Sequence, residues 1–199
     1  MLYYCDMKDS LLFSRKFLKH GLHIASLFPS SSYLAKTTIR GIDWSNARIV
    51  LELGAGTGAV TAAILARINP QCRFIAIERD SDFVRVLKRR FADCNIEIVE
   101  ADACEFSKIL EERKINSIDA IVSGLPVSSF SRDLQGKFFN QIARALVPQG
   151  SYNQITIMPF LFQLLYKKYF EEVKFLFEPR NLPPGGVYVC RQIKAIEGI

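Results

Sequence analysis

Two regimes of hydrophobic and polar positions divide the chain. From residue 48 onward, short apolar, β-branched runs recur: Arg48–Leu53 (RIVLEL), Arg73–Ile77 (RFIAI), Ile96–Val99 (IEIV), Ile118–Val122 (IDAIV) and Tyr152–Ile157 (YNQITI). Each has the composition and length of a strand. Between them the apolar spacing lengthens to that of a helix. Ala59–Ile68 is alanine-rich and stops before Pro70. Ser81 opens a stretch carrying Phe83, Val84, Leu87 and Phe91. Ser131 caps a third with Leu134, Phe138, Ile142 and Leu146, which stops before Pro148 and Gly150. Strand and helix in alternation predict βαβ units and a mostly parallel sheet. Val173–Phe177 and Val187–Ile193 are separated by EPRNLPPGG, too short for a crossover helix, so these two strands pair antiparallel. The expected fold is α/β and Rossmann-like: a seven-stranded, mostly parallel sheet with an antiparallel last hairpin and helices on both faces.

The first 47 residues follow a different pattern. On a wheel of ~100° per residue, Leu11, Phe13, Phe17, Leu18, Leu22, Ile24, Ala25 and Phe28 fill one half. Arg15, Lys16, Lys19, His20, His23 and Ser26 fill the other, with Leu12 and Leu27 intruding. This predicts a basic amphipathic helix ended by Pro29 and three serines. It reads either as a cover for one edge of the sheet or as a helix lying in a membrane interface. Gly21 weakens it by about 1 kcal/mol. The chain therefore divides into an extension, 1–47, and a domain, 48–199. A second amphipathic stretch, FLFQLLYKKYF, follows Pro159. Leu161, Leu165, Tyr166, Tyr169 and Phe170 share a face beside Lys167 and Lys168. It reads as a helix packed on the sheet or as a second lipid-facing surface.

Composition narrows the classes. With 199 residues, 49% hydrophobic and 23% charged, wholesale disorder is excluded. There is no apolar run of about 18 residues to span a membrane. Five cysteines (Cys5, Cys72, Cys94, Cys104, Cys190) are scattered with no CxxC pair, and only two histidines exist. No metal site or disulfide framework is expected, and the compartment should be reducing and cytoplasmic. MLYYCDMKDS lacks the pattern of a secretory signal. A net charge of +6 points to an anionic partner: nucleic acid, a membrane surface or a phosphorylated substrate.

The sharpest local signal is Glu52-Leu53-Gly54-Ala55-Gly56-Thr57-Gly58, between the first strand and the first helix. Such glycines permit a tight turn and close approach to a ligand. The spacing tolerates a dinucleotide, but the acids tilt the choice. Glu52, two residues before the first glycine, suits a cationic amino group better than a pyrophosphate. Glu78 ends the second strand, where a ribose diol is gripped in this class of sheet. Asp102 follows the third strand. A glycine loop with three acids at successive strand ends describes a site for S-adenosylmethionine.

On these residues the chain resembles the class I S-adenosylmethionine-dependent methyltransferases over positions 48 to about 193. The resemblance implies that Glu52 faces the methionine amino group, Glu78 holds the ribose hydroxyls, and Asp102 with Ala103 meets the adenine. Gly54, Ala55, Gly56, Gly58, Arg79 and Ser123 complete the cofactor set, and S-adenosylhomocysteine is the product. A narrower resemblance lies in the ordered segments FPSSSYLAK (28–36), VLELGAGTGAVTAAIL (50–65), DAIVSGLPVSSF (119–130), LVPQGSYNQITIMP (146–159) and NLPPGGVYV (181–189). Together they are similar to the bacterial phospholipid N-methyltransferases, which methylate phosphatidylethanolamine. These resemble in turn the ribosomal RNA adenine dimethylases.

The fourth-strand motif separates those relatives. Adenine N6-methylating enzymes carry Asn or Asp, an apolar residue, Pro, then Tyr or Phe. Here the stretch is Ser123-Gly124-Leu125-Pro126-Val127, without the amide or the stacking ring that a flipped base needs. The chain also ends just past the last strand, with no helical RNA-binding domain. The expectation is methyl transfer to the amine of phosphatidylethanolamine by a protein held peripherally on the inner face of the cell membrane, with an anionic surface as partner and no nucleic acid. The alternatives are an RNA adenine N6-methyltransferase and an inactive, membrane-binding methyltransferase fold. Since an alkyl amine with pKa about 10.4 is mostly protonated at pH 7, the site must take the neutral form or supply an acceptor. Candidates are Tyr33, Ser123, Tyr188 and a carbonyl of the Gly124-Leu125-Pro126 turn, with Asn181 facing the site. Arg180 is the candidate for the lipid phosphate.

Overall fold

The computed structural model describes residues 31–158 and 161–194. The expected helix over Leu11–Phe28 lies outside them. One sheet holds β1 (Ile49–Leu53), β2 (Arg73–Glu78), β3 (Glu97–Glu100), β4 (Ile118–Ser123), β5 (Leu146–Thr156), β6 (Phe170–Glu178) and β7 (Gly185–Ile193). Their order is β3-β2-β1-β4-β5-β7-β6. The first five run parallel, and β7 is antiparallel to both β5 and β6, as the short connection requires.

Among the described residues six α-helices flank the sheet: α1 (Ser32–Thr38), α2 (Ala59–Leu65), α3 (Ser81–Arg90), α4 (Phe106–Glu112), α5 (Arg132–Ala145) and α6 (Gln163–Tyr169). Side-chain alternation along the central strands feeds two cores. Val50, Phe74, Ala76, Ala120 and Val122 meet Ala35 of α1, Val60 and Ile64 of α2, and Leu87 of α3. Leu51, Leu53, Ile75, Ile77 and Ile121 meet Phe106 of α4, Phe138 and Phe139 of α5, and Tyr166 and Tyr169 of α6. Strands covered on both faces read as continuous apolar runs, which is why they stand out in the sequence. The second core is rich in aromatic rings. The Phe139 ring stacks on Tyr169 at 4.0 Å and meets the edges of Tyr152 and Phe170 at 6.0 Å.

Several boundaries differ from the pattern. The alanine-rich helix ends at Leu65, and residues 66–68 form a turn. Leu146 opens β5 instead of closing α5, and β5 runs through Pro148 and Gly150. The β4–β5 register shifts between Ile118 and Ala120, so one strand absorbs an irregularity there. Gly150 allows it: a Cβ would lie 2.7 Å from Leu146 Cδ1 and 2.9 Å from the Asp119 carbonyl. Phe170, placed on a helical face by its spacing, begins β6. Helices α1 and α4 are additions. Ser31 caps α1 by accepting the Leu34 N–H at 3.2 Å, and α4 buries Phe106, Ile109 and Leu110 at helical spacing.

Because Phe139 is fully buried among five aromatic rings, Phe139→Ala should lower unfolding free energy by about 3–5 kcal/mol. Leu164→Ala, at a position 82% exposed, should stay within about 0.5 kcal/mol of wild type in the same urea titration.

Candidate active site

The parallel strands all end at one edge of the sheet, where ligands of such folds bind. The register sets Leu53 beside Ser123, so the loops after β1 and β4 emerge side by side. The Gly124 N–H donates to the Leu53 carbonyl at 2.9 Å. A Cβ on Gly124 would lie 2.9 Å from the Gly54 carbonyl oxygen, so the two backbones touch only because residue 124 is glycine. Over this contact lies a cleft lined by Glu52, Gly54, Gly56, Leu125, Gln154 and Asn181, among others.

Gly54 and Gly56 hold φ of +78° and +54°, the left-handed region. Around them the loop turns its N–H groups inward. Gly54 and Ala55 both donate to the Ile77 carbonyl, at 2.9 and 3.2 Å, and Gly58 donates to the Ala55 carbonyl at 3.0 Å. The Gly56 N–H donates to Glu78 Oε2 at 2.8 Å. A pyrophosphate loop aims such groups at its ligand; these four are already engaged. Together with the acids, this disfavours a dinucleotide. No atom lies within 4 Å of a Cβ built on Gly56, so that face of the loop is open.

Glu52 faces α2, opposite to its neighbours Leu51 and Leu53, and accepts the Thr61 hydroxyl at 2.7 Å. It is buried. Burial pushes its carboxyl up to about 8; the Thr61 hydrogen bond opposes the rise and the nearby Glu78 charge adds to it. A ligand ammonium arriving at this wall of the cleft would supply the cation that makes ionisation favourable. The open glycine face and a buried acid with no described cationic partner fit S-adenosylmethionine.

Glu78 ends β2 with both carboxylate oxygens occupied: Oε2 by Gly56 and Oε1 by the Asp80 N–H at 2.9 Å. It pins the glycine loop whatever else it holds. Gly58 has a packing role, since a Cβ there would meet Leu87 and Phe91 side chains at 2.7 Å. Asp102 is exposed and caps a short turn by accepting the Cys104 N–H at 2.8 Å. Ala103 is buried and Arg79 exposed. These three lie at the ends of β2 and β3, outside the lining of the cleft.

Of the substrate candidates, Gly124, Leu125, Pro126 and Asn181 line the cleft. Asn181 accepts the Ser31 N–H at 3.0 Å and donates to the Pro183 carbonyl at 2.7 Å, which ties the chain before α1 to the β6–β7 loop. Ser123 is buried beneath, its hydroxyl accepting the Leu125 N–H at 3.3 Å. Tyr188 is buried in the second core beside Tyr166 and Phe175, and its hydroxyl accepts the Phe162 N–H at 3.2 Å. Tyr33 is half exposed with the Arg180 guanidinium 4.3 Å over its ring. Arg180 grips both oxygens of Glu178, at 2.7 and 2.9 Å. That contact, with the Thr37 hydroxyl, holds the Glu178 carboxyl down to about 2. Tyr33, Tyr188 and Arg180 are thus outside the lining. Gln154, Thr61, Phe162 and Tyr166 were not read as site residues. Gln154 alone left a signal, an amide within an apolar run.

The sheet order, the inward-turned glycine loop and the acids ending β1 and β2 define a class I S-adenosylmethionine-dependent methyltransferase. The model of a family described as a methyltransferase domain matches residues 50–150, and the chain belongs to that family. An ornithine lipid N-methyltransferase from Singulisphaera acidiphila is 52% identical over 189 residues, covering 94% of this chain and 98% of that protein. Ribosomal RNA small subunit methyltransferase A from Mycoplasma capricolum is 32% identical over 78 residues, covering 39% of this chain and 28% of that one. Among solved structures, precorrin-6y C5,15-methyltransferase from Geobacter metallireducens shares the fold with a TM-score of 0.56, 14% identity, and coverage of 81% of this chain and 87% of that one.

Two outcomes follow from the geometry. Gly56→Val should fold yet weaken S-adenosylmethionine binding at least tenfold by calorimetry, because its side chain fills open space and strains a left-handed residue. Glu52 also links stability to pH. Its folded pKa, about 8, exceeds the ordinary 4.5, so the folded state keeps a proton that the unfolded chain releases. That stability is fully present below pH 4.5 and is lost as pH rises through 8. Cofactor-free Glu52→Gln should match wild type near pH 4.5 and exceed it by about 2 kcal/mol or more at pH 9 in urea melts.

Proposed function

We propose that the protein transfers a methyl group to the primary amine of a lipid headgroup, with an ornithine lipid as the favoured substrate. One observation carries this reading: the end-to-end 52% identity to an ornithine lipid N-methyltransferase. Phosphatidylethanolamine, the headgroup suggested by the ordered motifs, offers the same chemistry, a primary amine with an anionic group nearby. An RNA reading has less support. The match to the RNA methyltransferase covers 39% of the chain, and the turn after β4 ends in a buried Val127 where a stacking ring would stand.

The mouth of the cleft supports a lipid. Met158 lines it and is 46% exposed; Leu161 and Leu182, 61% and 87% exposed, adjoin the lining residues Phe162 and Asn181. Leu164 and the half-exposed Tyr33 lie on α6 and α1, which also carry the lining residues Tyr166 and Leu34, and Lys167, Lys168 and Arg180 are exposed on the same segments or next to the lining residue Asn181. An apolar rim fringed by cations suits an anionic lipid surface. We assign the anionic group of the headgroup to Arg180 and peripheral membrane attachment to this rim together with the basic N-terminal segment. Among the described residues no helix is long and apolar enough to cross a membrane.

S-adenosylmethionine, when bound, supplies a methyl group already activated on a sulfonium. In this reading Glu52 meets the ammonium, Glu78 holds the loop and the ribose diol, and Asp102 with Ala103 borders the adenine. Leu125 and Pro126 wall the acceptor side. Among the described lining residues only Glu52 and Tyr166 are titratable, and none is cationic. With Glu52 engaged by the cofactor ammonium, no other described lining side chain can take a proton from the substrate, so the amine enters neutral, its nitrogen lone pair takes the methyl, and the positive charge passes to nitrogen. The extra proton leaves to water afterwards. Positioning and exclusion of water supply the acceleration.

The test is incubation with labelled S-adenosylmethionine and vesicles containing ornithine lipid, phosphatidylethanolamine or neither, with ribosomal RNA as a fourth arm. Label in ornithine lipid is expected. Label in phosphatidylethanolamine alone would move the headgroup assignment, and label in RNA alone would overturn the lipid reading.

A further inference from the structure

Gln154 is fully buried in β5, directly beside Ser123 in the β4–β5 register. Its Nε2 has three carbonyl oxygens within hydrogen-bond reach, Leu125 at 2.8 Å, Ile155 at 2.9 Å and Ser123 at 3.2 Å, which share its two N–H donors. Three acceptors around one end dictate that the amide faces them with its NH2 group. Its Oε1 accepts the hydroxyl of Tyr152, itself fully buried. The Leu125 carbonyl also accepts the Val127 N–H at 2.9 Å, so both its lone pairs are used. The turn after β4 lacks the amide that adenine-methylating enzymes place on their fourth strand. Here an amide reaches the same turn from the neighbouring strand.

The consequence concerns distance. Leu125 packs against the glycine loop, where a Cβ on Gly54 would lie 3.1 Å from Leu125 Cδ2. Whatever fixes Leu125 therefore fixes the spacing between the loop that holds the methyl donor and the turn that walls the acceptor. In-line transfer is sensitive to that spacing, and a 1 Å misplacement can cost about 10²-fold. We infer that Gln154 is a positioning residue for methyl transfer: by clamping the Ser123 and Leu125 carbonyls it holds the acceptor turn at reacting distance from the cofactor loop. This rests on methyl transfer to an amine and not on which lipid carries it.

The experiment compares wild type, Gln154→Leu and Tyr152→Phe on the amine acceptor that wild type methylates. The leucine variant keeps much of the bulk and loses both N–H donors that the three carbonyls share. Three quantities are read: S-adenosylmethionine Kd by calorimetry, kcat and KM for the acceptor, and hydrogen–deuterium exchange over residues 123–129 in the cofactor-free protein. With Gln154→Leu, Kd and KM should stay within about threefold, kcat should fall about 30-fold or more, and exchange over 123–129 should quicken about tenfold. A kcat within threefold of wild type, a loss carried wholly by cofactor affinity, or unchanged exchange would each overturn the inference. If Gln154→Leu does not fold, Tyr152→Phe decides. A several-fold lower kcat at unchanged Kd upholds the inference, and wild-type kcat sinks it. Absence of any methylated lipid with wild type would count against the lipid reading alone, and the exchange measurement would still decide the role of Gln154.

Discussion

The close approach of two backbones at the carboxyl edge of the sheet underlies everything else at the site. Gly54 and Gly124 touch because β1 and β4 are parallel neighbours in a register that ends both strands together. A side chain on residue 124 would force them apart. The loop that follows β1 and the turn that follows β4 are thereby held against each other at the floor of the cleft. The surrounding polar groups then serve this contact. Glu78 tethers the glycine loop from one side, and Gln154 tethers the turn after β4 from the other.

Around that contact the polar interior is sparse and specific. Glu52 sits on a wall that is otherwise mainly backbone and apolar side chains, and its burial makes ionisation unfavourable until a cation arrives. Arg180, by contrast, is held by Glu178 and lies on Tyr33, which fastens α1 to the strand before the β6–β7 loop. Asn181 adds a second fastening, to the Ser31 N–H. The chain that leads into the domain and the loop beside the cleft are thus one structural unit.

The sheet was legible because its physics is local. Strands buried on both faces must be apolar throughout, and β1, β2 and β4 are such runs. The glycine loop was legible because positive φ selects glycine at Gly54 and Gly56, and Glu52 and Glu78 stand at strand ends that any reading of the pattern would mark. The antiparallel hairpin followed from chain length alone. Helix α4 also has a local signature, Phe106, Ile109 and Leu110 at helical spacing.

What only the tertiary structure decided depends on contacts between distant segments. The continuation of β5 through Pro148 and Gly150 needs a partner strand that absorbs a register shift, which no local propensity reveals. Tyr188 and Gln154 are paired across β7 and β5, yet Tyr188 is walled into the aromatic core while Gln154 reaches the cleft. Spacing had marked the tyrosine and passed over the amide. Gly58 belongs to the same motif as Gly54 and Gly56 but owes its identity to Leu87 and Phe91, thirty residues away. Sequence by itself determined the fold class, the cofactor loop and the acids that flank it, because each follows from backbone conformation and short-range burial. The rest of the cleft was decided by how β4, β5, α6 and the β6–β7 loop pack, because walls built from side chains that meet only across distant segments leave no motif of their own.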